Sequence, residues 1–312
     1  VGSLISSLFF KTHYAKGVVM KQAYRIQRNF RRETAVLVSQ ILKTVELYQS
    51  QGYKLTLRQL YYQLVVQNIF ANLQKNYAKL SDLLGEARMC GLCDWDVIED
   101  RIRVPRFPNE WNDINDAMNT LIAVYRRKRW CDQENYVEVW VEKDALSGVL
   151  EPITHDFHVH LLVNRGYSSI SAMHDSAIRF RLAQQDGKSC YLLYFGDHDP
   201  SGEDMVRDIK TRIQEFRAVV QVDKIALTRE QVDENQLPPN PAKTTDPRAR
   251  GYIEEHGDQS WELDALPPAT LNKLLTEALE ELLDRDKYDE QIALEDTDKE
   301  RMETFGKEHS EK

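Results

Sequence analysis

Residues 136–146 read YVEVWVEKDAL and residues 191–205 read YLLYFGDHDPSGEDM. Each opens as a short, almost continuous apolar run of strand length and breaks at once into acid: Glu142 in the first, Asp197 and Asp199 in the second. Runs of that kind, rich in β-branched and aromatic residues, form strands buried on both faces, as a parallel sheet requires. Around them the pattern alternates: strand 136–141, helix 145–154, strand 160–164, helix 171–184, strand 190–195, helix 203–219, strand 224–227. Strands alternating with helices predict an α/β fold with a parallel sheet covered on both sides, whose ligands sit at the carboxyl ends of the strands. Residues two apart in extended chain point the same way, so Asp197 and Asp199 can converge. Three carboxylates at a sheet mouth repel one another without a cation. Hard oxygen donors select Mg²⁺, with Mn²⁺ as a substitute, and such an ion would hold phosphate oxygens. A lone Asp-x-Asp is more often an ordinary polar turn; the second acidic strand end, at Glu142, favours a site.

Upstream the periodicity is helical. Leu37, Val38, Ile41, Leu42, Val45 and Tyr48 form one stripe of a helix within 24–48, closed by Gly52. Thr56 and Gln59 have the spacing of a capping box and predict a second helix from Thr56. A third, 76–89, carries Tyr77, Leu80, Leu83, Leu84 and Ala87 on its apolar face and ends at Gly91, and 95–104 alternates as a strand or hairpin would. Three helices and a hairpin are the order of a winged helix-turn-helix, in which the third helix enters the major groove and Lys75, Lys79 and Arg88 would face phosphate.

Charge supports that partner. The net charge is −9, yet residues 1–130 carry 20 Lys+Arg against 11 Asp+Glu, residues 131–250 carry 14 against 20, and residues 251–312 carry 7 against 19. Phosphate binding depends on local charge, so a basic first segment joined to acidic ones suits a module that binds double-stranded DNA coupled to a metal-carboxylate module.

A length of 312 residues predicts two domains. The reading is an extension of unknown role at 1–20, a winged-helix DNA-binding domain at 21–104, a linker and helix at 105–130 ending in the basic cluster 126–129, a sheet domain at 131–285, and a charged, frayed tail at 286–312. Residues 235–251, ending PPNPAKTTDPRARG, read as a long surface loop, in which Arg248 and Arg250 could touch DNA. The apolar runs fall short of the roughly 20 residues a bilayer needs, and four cysteines are too few for a disulfide framework. The expectation is a cytoplasmic, nucleoid-associated protein without membrane contact. Cys90 and Cys93 have zinc-like spacing but lack a second pair, and alternate strand faces separate His155 from His158 and His160, so neither group is read as a metal site.

VEVWVEKDAL followed by LLYFGDHDPSGEDM resembles the Toprim domain, in particular that of the A subunit of topoisomerase VI and the related meiotic double-strand-break transesterases. NRGYSSIS at 164–171 and ELDAL at 262–266 resemble the same family. The resemblance implies that Glu142, Asp197 and Asp199 are the Mg²⁺ ligands. That family couples its Toprim domain to a winged helix bearing a nucleophilic tyrosine in an Arg-x-x-Tyr-Tyr setting, and TLRQLYYQL at 56–64 resembles it. Helical spacing separates the two tyrosines: Tyr61 shares a stripe with Leu57, Leu60 and Leu64, whereas Tyr62 lies four residues after Arg58 on the polar face. The expectation is therefore Tyr62 as nucleophile, with Arg58 favouring its phenolate and holding the attacked phosphate.

The implied reaction leaves a 5′-phosphotyrosine and a free 3′-hydroxyl. The resemblance also implies a homodimer, with the tyrosine of one subunit working at the acidic site of the other. Nothing in the chain resembles the ATPase partner subunit, and it looks like a short, stand-alone version of the A subunit. Two other readings stay open: a Toprim nuclease that hydrolyses DNA without a covalent intermediate, and a non-catalytic winged-helix DNA-binding protein.

Overall fold

A computed structural model describes Tyr24 and residues 30–98, 108–164, 170–241 and 248–309. The described chain separates into two compact units, one built from Tyr24, 30–98 and 134–282, the other from 108–133 and 283–309. The expected boundary near residue 104 does not separate the helical segment from the sheet, since both belong to the first unit.

In that larger unit, β1 (Asn135–Val141), β2 (His160–Val163), β3 (Ser189–Phe195) and β4 (Gln221–Ala226) form a wholly parallel sheet in the order β2-β1-β3-β4. The crossovers are α5 (Asp144–Asp156), α6 (Ile170–Gln185) and α7 (Pro200–Glu215). Trp140, Leu192 and Tyr194 bury one face of the sheet against Met173, Ala177 and Phe180 of α6 and Met205, Ile209 and Ile213 of α7. The alternate residues, among them Val139, Val141, Leu193 and Phe195, are buried too. Double-sided burial is why these strands read as continuous apolar runs. The chain leaves β1 toward β2 on one side and β3 toward β4 on the other, so strand order reverses between β1 and β3. A crevice opens at the carboxyl ends of such a pair. Glu142 and Asp197 lie directly beyond those two ends.

Among the described residues of this unit, three helices precede the sheet: α1 (Arg32–Ser50), α2 (Leu57–Val66) and α3 (Gln74–Met89). Thr56 caps α2 as expected, its hydroxyl accepting from Gln59 N at 3.3 Å while the Gln59 side chain accepts from Thr56 N at 2.7 Å. The strand or hairpin expected over 95–104 is not observed at its start. Trp95–Val97 is a 3₁₀ turn, and pairing is confined to one parallel bridge between Leu55 and Ile98; residues 99–107 lie outside the described residues. Arg88 holds the turn shut, donating to Trp95 O at 2.6 Å and stacking on the Trp95 ring at 4.7 Å.

Downstream, α8 (Arg229–Glu234) is followed by a two-residue antiparallel pair, β5 (Asn240–Pro241) with β6 (Gln259–Ser260), and α9 (Ala249–His256) begins at the end of the stretch read as a loop over 235–251. A 3₁₀ turn, Leu263–Ala265, leads into α10 (Pro268–Glu281), which packs on α5 and β4.

The smaller unit corrects two expectations. Within the 105–130 stretch read as a linker and helix, α4 (Ile114–Val124) begins early, capped by Asp113 through Asp116 N at 2.9 Å, and stops before the basic cluster at 126–129 that was to end it. The tail read as frayed is α11 (Arg285–His309), a helix of 25 residues. It packs on α4, and its acids pair with the segment that follows that helix, a polar packing that hydrophobic periodicity cannot detect. Glu295, fully buried, accepts from Arg127 N at 2.9 Å, from Arg129 Nη2 at 3.2 Å and from Lys299 Nζ at 2.6 Å, and Asp298 pairs with Arg127 at 2.8 Å. The basic cluster is thus largely spent on the acids of α11. Among the described residues no helix is long and apolar enough to cross a membrane.

Candidate active site

The crevice between the ends of β1 and β3 is acidic and tightly paired. Glu142 follows β1, and its Oε2 accepts from Asp197 N at 3.1 Å and from Tyr194 Oη at 3.4 Å, so it meets the backbone of the second acidic strand end rather than the Asp197 carboxylate. The fully buried Tyr194 is held protonated by its burial and by the charges of Glu142, Asp197 and Asp199. Asp199 caps α7, its Oδ1 accepting from Gly202 N at 2.7 Å. Gly202 is obligatory: a Cβ there would come within 2.1 Å of the Asp197 carbonyl oxygen.

Asp197 reaches the other way. Its Oδ1 accepts from Leu263 N at 2.8 Å and from Lys143 Nζ at 2.6 Å. The same ammonium contacts Glu262 and lies 3.0 Å from Asp264 Oδ2, so one lysine serves three carboxylates from two parts of the chain. Burial works against the Lys143 charge, but Asp264, Asp197 and Glu262 outweigh it and keep the ammonium protonated well above its usual range. Asp197 moves oppositely: burial, with Glu262 and Glu142 adding to it, pushes its carboxyl up to about 7 despite Lys143. Burial opposes Glu262 as well, yet Lys143 and Arg58 hold it down to about 2.

Arg58 brings the helical segment into this network. From the first turn of α2 its Nη2 donates to Glu262 Oε2 at 2.7 Å and its Nε lies 3.4 Å from Asp264 Oδ2. Gln63, one residue past Tyr62, faces the carbonyls of Asp264, Ala265 and Leu266 at 3.4–3.5 Å and accepts from Tyr48 Oη at 2.6 Å. The Tyr62 helix is thereby fastened to the 262–266 segment.

Comparison with known proteins returns no matching family model, no matching curated protein and no matching solved structure.

Tyr61 is core as expected: its hydroxyl accepts from Leu73 N at 2.8 Å and its ring meets Tyr77 edge-on. Tyr62 is not on an exposed polar face. It is only 8% exposed, with the Arg58 guanidinium 5.7 Å from its ring centre. The expected phenolate does not follow either. Burial and the charge of Glu262 outweigh Arg58 and Lys143 and push the Tyr62 hydroxyl up to about 12.

Of the three phosphate-facing residues, Lys75 and Lys79 are exposed on α3, whereas Arg88 is turned onto Trp95. Arg248 lies 3.6 Å from Asp204 and Arg250 3.1 Å from Glu254. Cys90 and Cys93 are both buried.

Sequence reasoning missed Lys143, and it gave Glu262 and Asp264 no role beyond a resemblance. The signal for Lys143 was its place directly after Glu142; the other two are 119 residues or more away from it. Behind the turn, Lys224 donates to Asp197 O at 2.8 Å and to Glu203 at 2.6 Å, and His198 Nδ1 meets the same Glu203 oxygen at 2.6 Å. Burial opposes it, but these two partners bring Glu203 to about 2.

Four carboxylates (Glu142, Asp197, Glu262 and Asp264) thus stand together against two cations, Lys143 and Arg58, while Asp199 is turned to cap α7. Neither oxygen of the buried Asp264 accepts a hydrogen bond. Hard donors and excess negative charge suit a divalent cation chemically, although Asp264 already has Lys143 and Arg58 as ion-pair partners. Among the described residues, however, no three His, Cys, Asp or Glu side chains are already gathered as a metal-holding group. A cleft of about 570 Å³ in the smaller unit, lined by Asn115, Met118, Ile122 and Glu303 among others, lacks any comparable set of acids, bases and nucleophiles.

Proposed function

We propose that this chain is a DNA-cleaving transesterase resembling the A subunit of topoisomerase VI, with a winged-helix segment and a Toprim-like sheet, and that it acts as a homodimer on double-stranded DNA. The observation that carries this reading is the Arg58–Glu262–Lys143–Asp197 chain of ion pairs, which joins the helix bearing Tyr62 to the acidic strand end at Asp197, more than 130 residues away. Within one chain this gathers a nucleophile, a guanidinium and a carboxylate cluster, the parts phosphoryl transfer needs, so the site of this reading is built inside a subunit rather than shared between two as the resemblance implied.

Glu142, Asp197 and Asp199 would hold Mg²⁺, which when bound would neutralise charge on the phosphate. Lys75 and Lys79 would position the duplex through its backbone. Arg58 would orient the attacked phosphate. The Tyr62 oxygen forms a bond to phosphorus as the bond to the 3′-oxygen breaks; the phenolic proton passes to solvent and the departing oxygen is protonated, leaving a 5′-phosphotyrosine. Strand passage would call for a separate ATPase chain.

The buried, firmly protonated Tyr62 favours a second reading, a Toprim nuclease in which water is the nucleophile. Incubation of wild type and Tyr62→Phe with supercoiled plasmid and Mg²⁺ or Mn²⁺ separates the two. Transesterification predicts protein-linked 5′ ends that the variant loses. Nicking that survives in Tyr62→Phe but not in Asp197→Ala would overturn it in favour of hydrolysis.

A further inference from the structure

A nucleophile must meet its substrate, yet Tyr62 is buried and the guanidinium meant for phosphate is already occupied. Glu262 and Asp264 take the two edges of Arg58, at 2.7 and 3.4 Å, and Glu262 is held from behind by Lys143. The Arg58 side chain is still 45% exposed, so another anion can reach it. A guanidinium accepts a carboxylate and a phosphate in the same forked geometry.

We propose that Glu262, assisted by Asp264, is a positioning residue that stands in for a substrate phosphate on Arg58, so that phosphate binding and the uncovering of Tyr62 are one event. The inference rests on the transesterase reading for the identity of the ligand, but its geometry is independent of which group attacks. Three features support it. The Arg58 guanidinium lies over the Tyr62 ring, 5.7 Å from its centre, so a shift of Arg58 toward an outside phosphate takes that cover off the ring. The carboxylates released on that side keep a cation, because Lys143 contacts both. The Gln63 contacts to the 264–266 carbonyls are long, 3.4–3.5 Å, and are weak restraints compared with the Arg58 pair.

The test is peptide-resolved nitration of Tyr62 by tetranitromethane, with Tyr61 as internal control, because its hydroxyl is bonded to Leu73 N whichever way Arg58 points. In wild type without ligand, Tyr62 should react slowly. A short DNA duplex should raise its rate about fivefold or more, the ratio that roughly 1 kcal/mol of ion-pair energy supplies. Glu262→Gln should react at the duplex-bound rate without DNA, and Glu262→Asp should restore protection. Arg58→Gln, which opens the contact from the other side, should be reactive and insensitive to DNA. Inorganic phosphate is a parallel arm: acceleration by the duplex alone assigns the anion to a strand backbone, and acceleration by both assigns it to phosphate in general.

A Tyr62 as protected in Glu262→Gln as in wild type, or unchanged protection when duplex is bound, overturns the proposal. These outcomes are separable from the cleavage assay. Covalent linkage without any response to Glu262→Gln would leave the transesterase reading standing and this one refuted; the converse result would do the opposite.

Discussion

Replacing Lys143 by Met removes the one ammonium shared by Asp197, Glu262 and Asp264. Breaking a buried ion pair costs about 3–5 kcal/mol when the remaining charge has no other partner. Here Glu262 and Asp264 keep Arg58, so a loss near the bottom of that range, about 3 kcal/mol, is expected at pH 8. Asp197 makes the loss depend on pH. Its carboxyl titrates near 7 in the folded chain, so at pH 8 it is ionised against Lys143 in wild type, whereas the variant must draw a proton from solution to keep it buried. One pH unit above the native value corresponds to roughly 1 kcal/mol. The loss at pH 8 should therefore exceed the loss at pH 6 by about that amount. Urea unfolding followed by far-UV circular dichroism measures both. Adding Asp197→Asn to Lys143→Met should abolish the difference. Equal losses at the two pH values, or a loss under about 0.5 kcal/mol at either, would show that the lysine does not hold the cluster together.

Asp197→Asn alone has a calculable sign. The native value, about 7, lies above the unfolded value of about 3.9, so the folded chain takes up a proton between them and wild type loses stability as pH rises from about 4 to about 7. The variant should melt higher than wild type at pH 8 and show no advantage near pH 4. Arg88→Ala should cost about 1–2 kcal/mol by releasing the turn at Trp95 and leave the salt dependence of DNA binding unchanged, whereas Lys75→Ala and Lys79→Ala should each reduce the slope of log K against log salt by about one. Thr56→Ala removes the α2 capping box and should lower stability by about 1 kcal/mol in thermal unfolding.

The sheet was legible because its strands announce themselves. Val137–Val141 and Leu192–Phe195 are buried on both faces, so apolar composition alone locates them, and the capping pair Thr56 and Gln59 marks the start of α2 directly. The elements misread are those whose burial is polar. α11 packs through Tyr288, Gln291 and Glu295, two of them hydrophilic, and its acids meet Arg127 and Arg129 across the unit; hydropathy registers only a charged tail. Glu138, fully buried in mid-strand, escaped notice likewise: Tyr136, Trp140 and Arg179 satisfy it, and no local spacing announces Arg179.

The site was legible one strand end at a time. Glu142 and the Asp197 turn were readable as an opening sheet edge, but periodicity on α2 predicted an exposed Tyr62 because a helix considered alone cannot reveal that the 262–266 segment covers its polar face. The same covering reverses the electrostatics. Arg58 by itself would lower the phenol's pKa, whereas burial together with Glu262 raises it.

The most direct measurement is mass spectrometry of peptides recovered from DNA after wild-type protein has been incubated with duplex and Mg²⁺, nuclease-trimmed and digested. The account predicts a nucleotide adduct on Tyr62 within the 57–66 helix, attached through a 5′-phosphate. Cleaved DNA with free 5′-phosphates and an unmodified Tyr62 would contradict it.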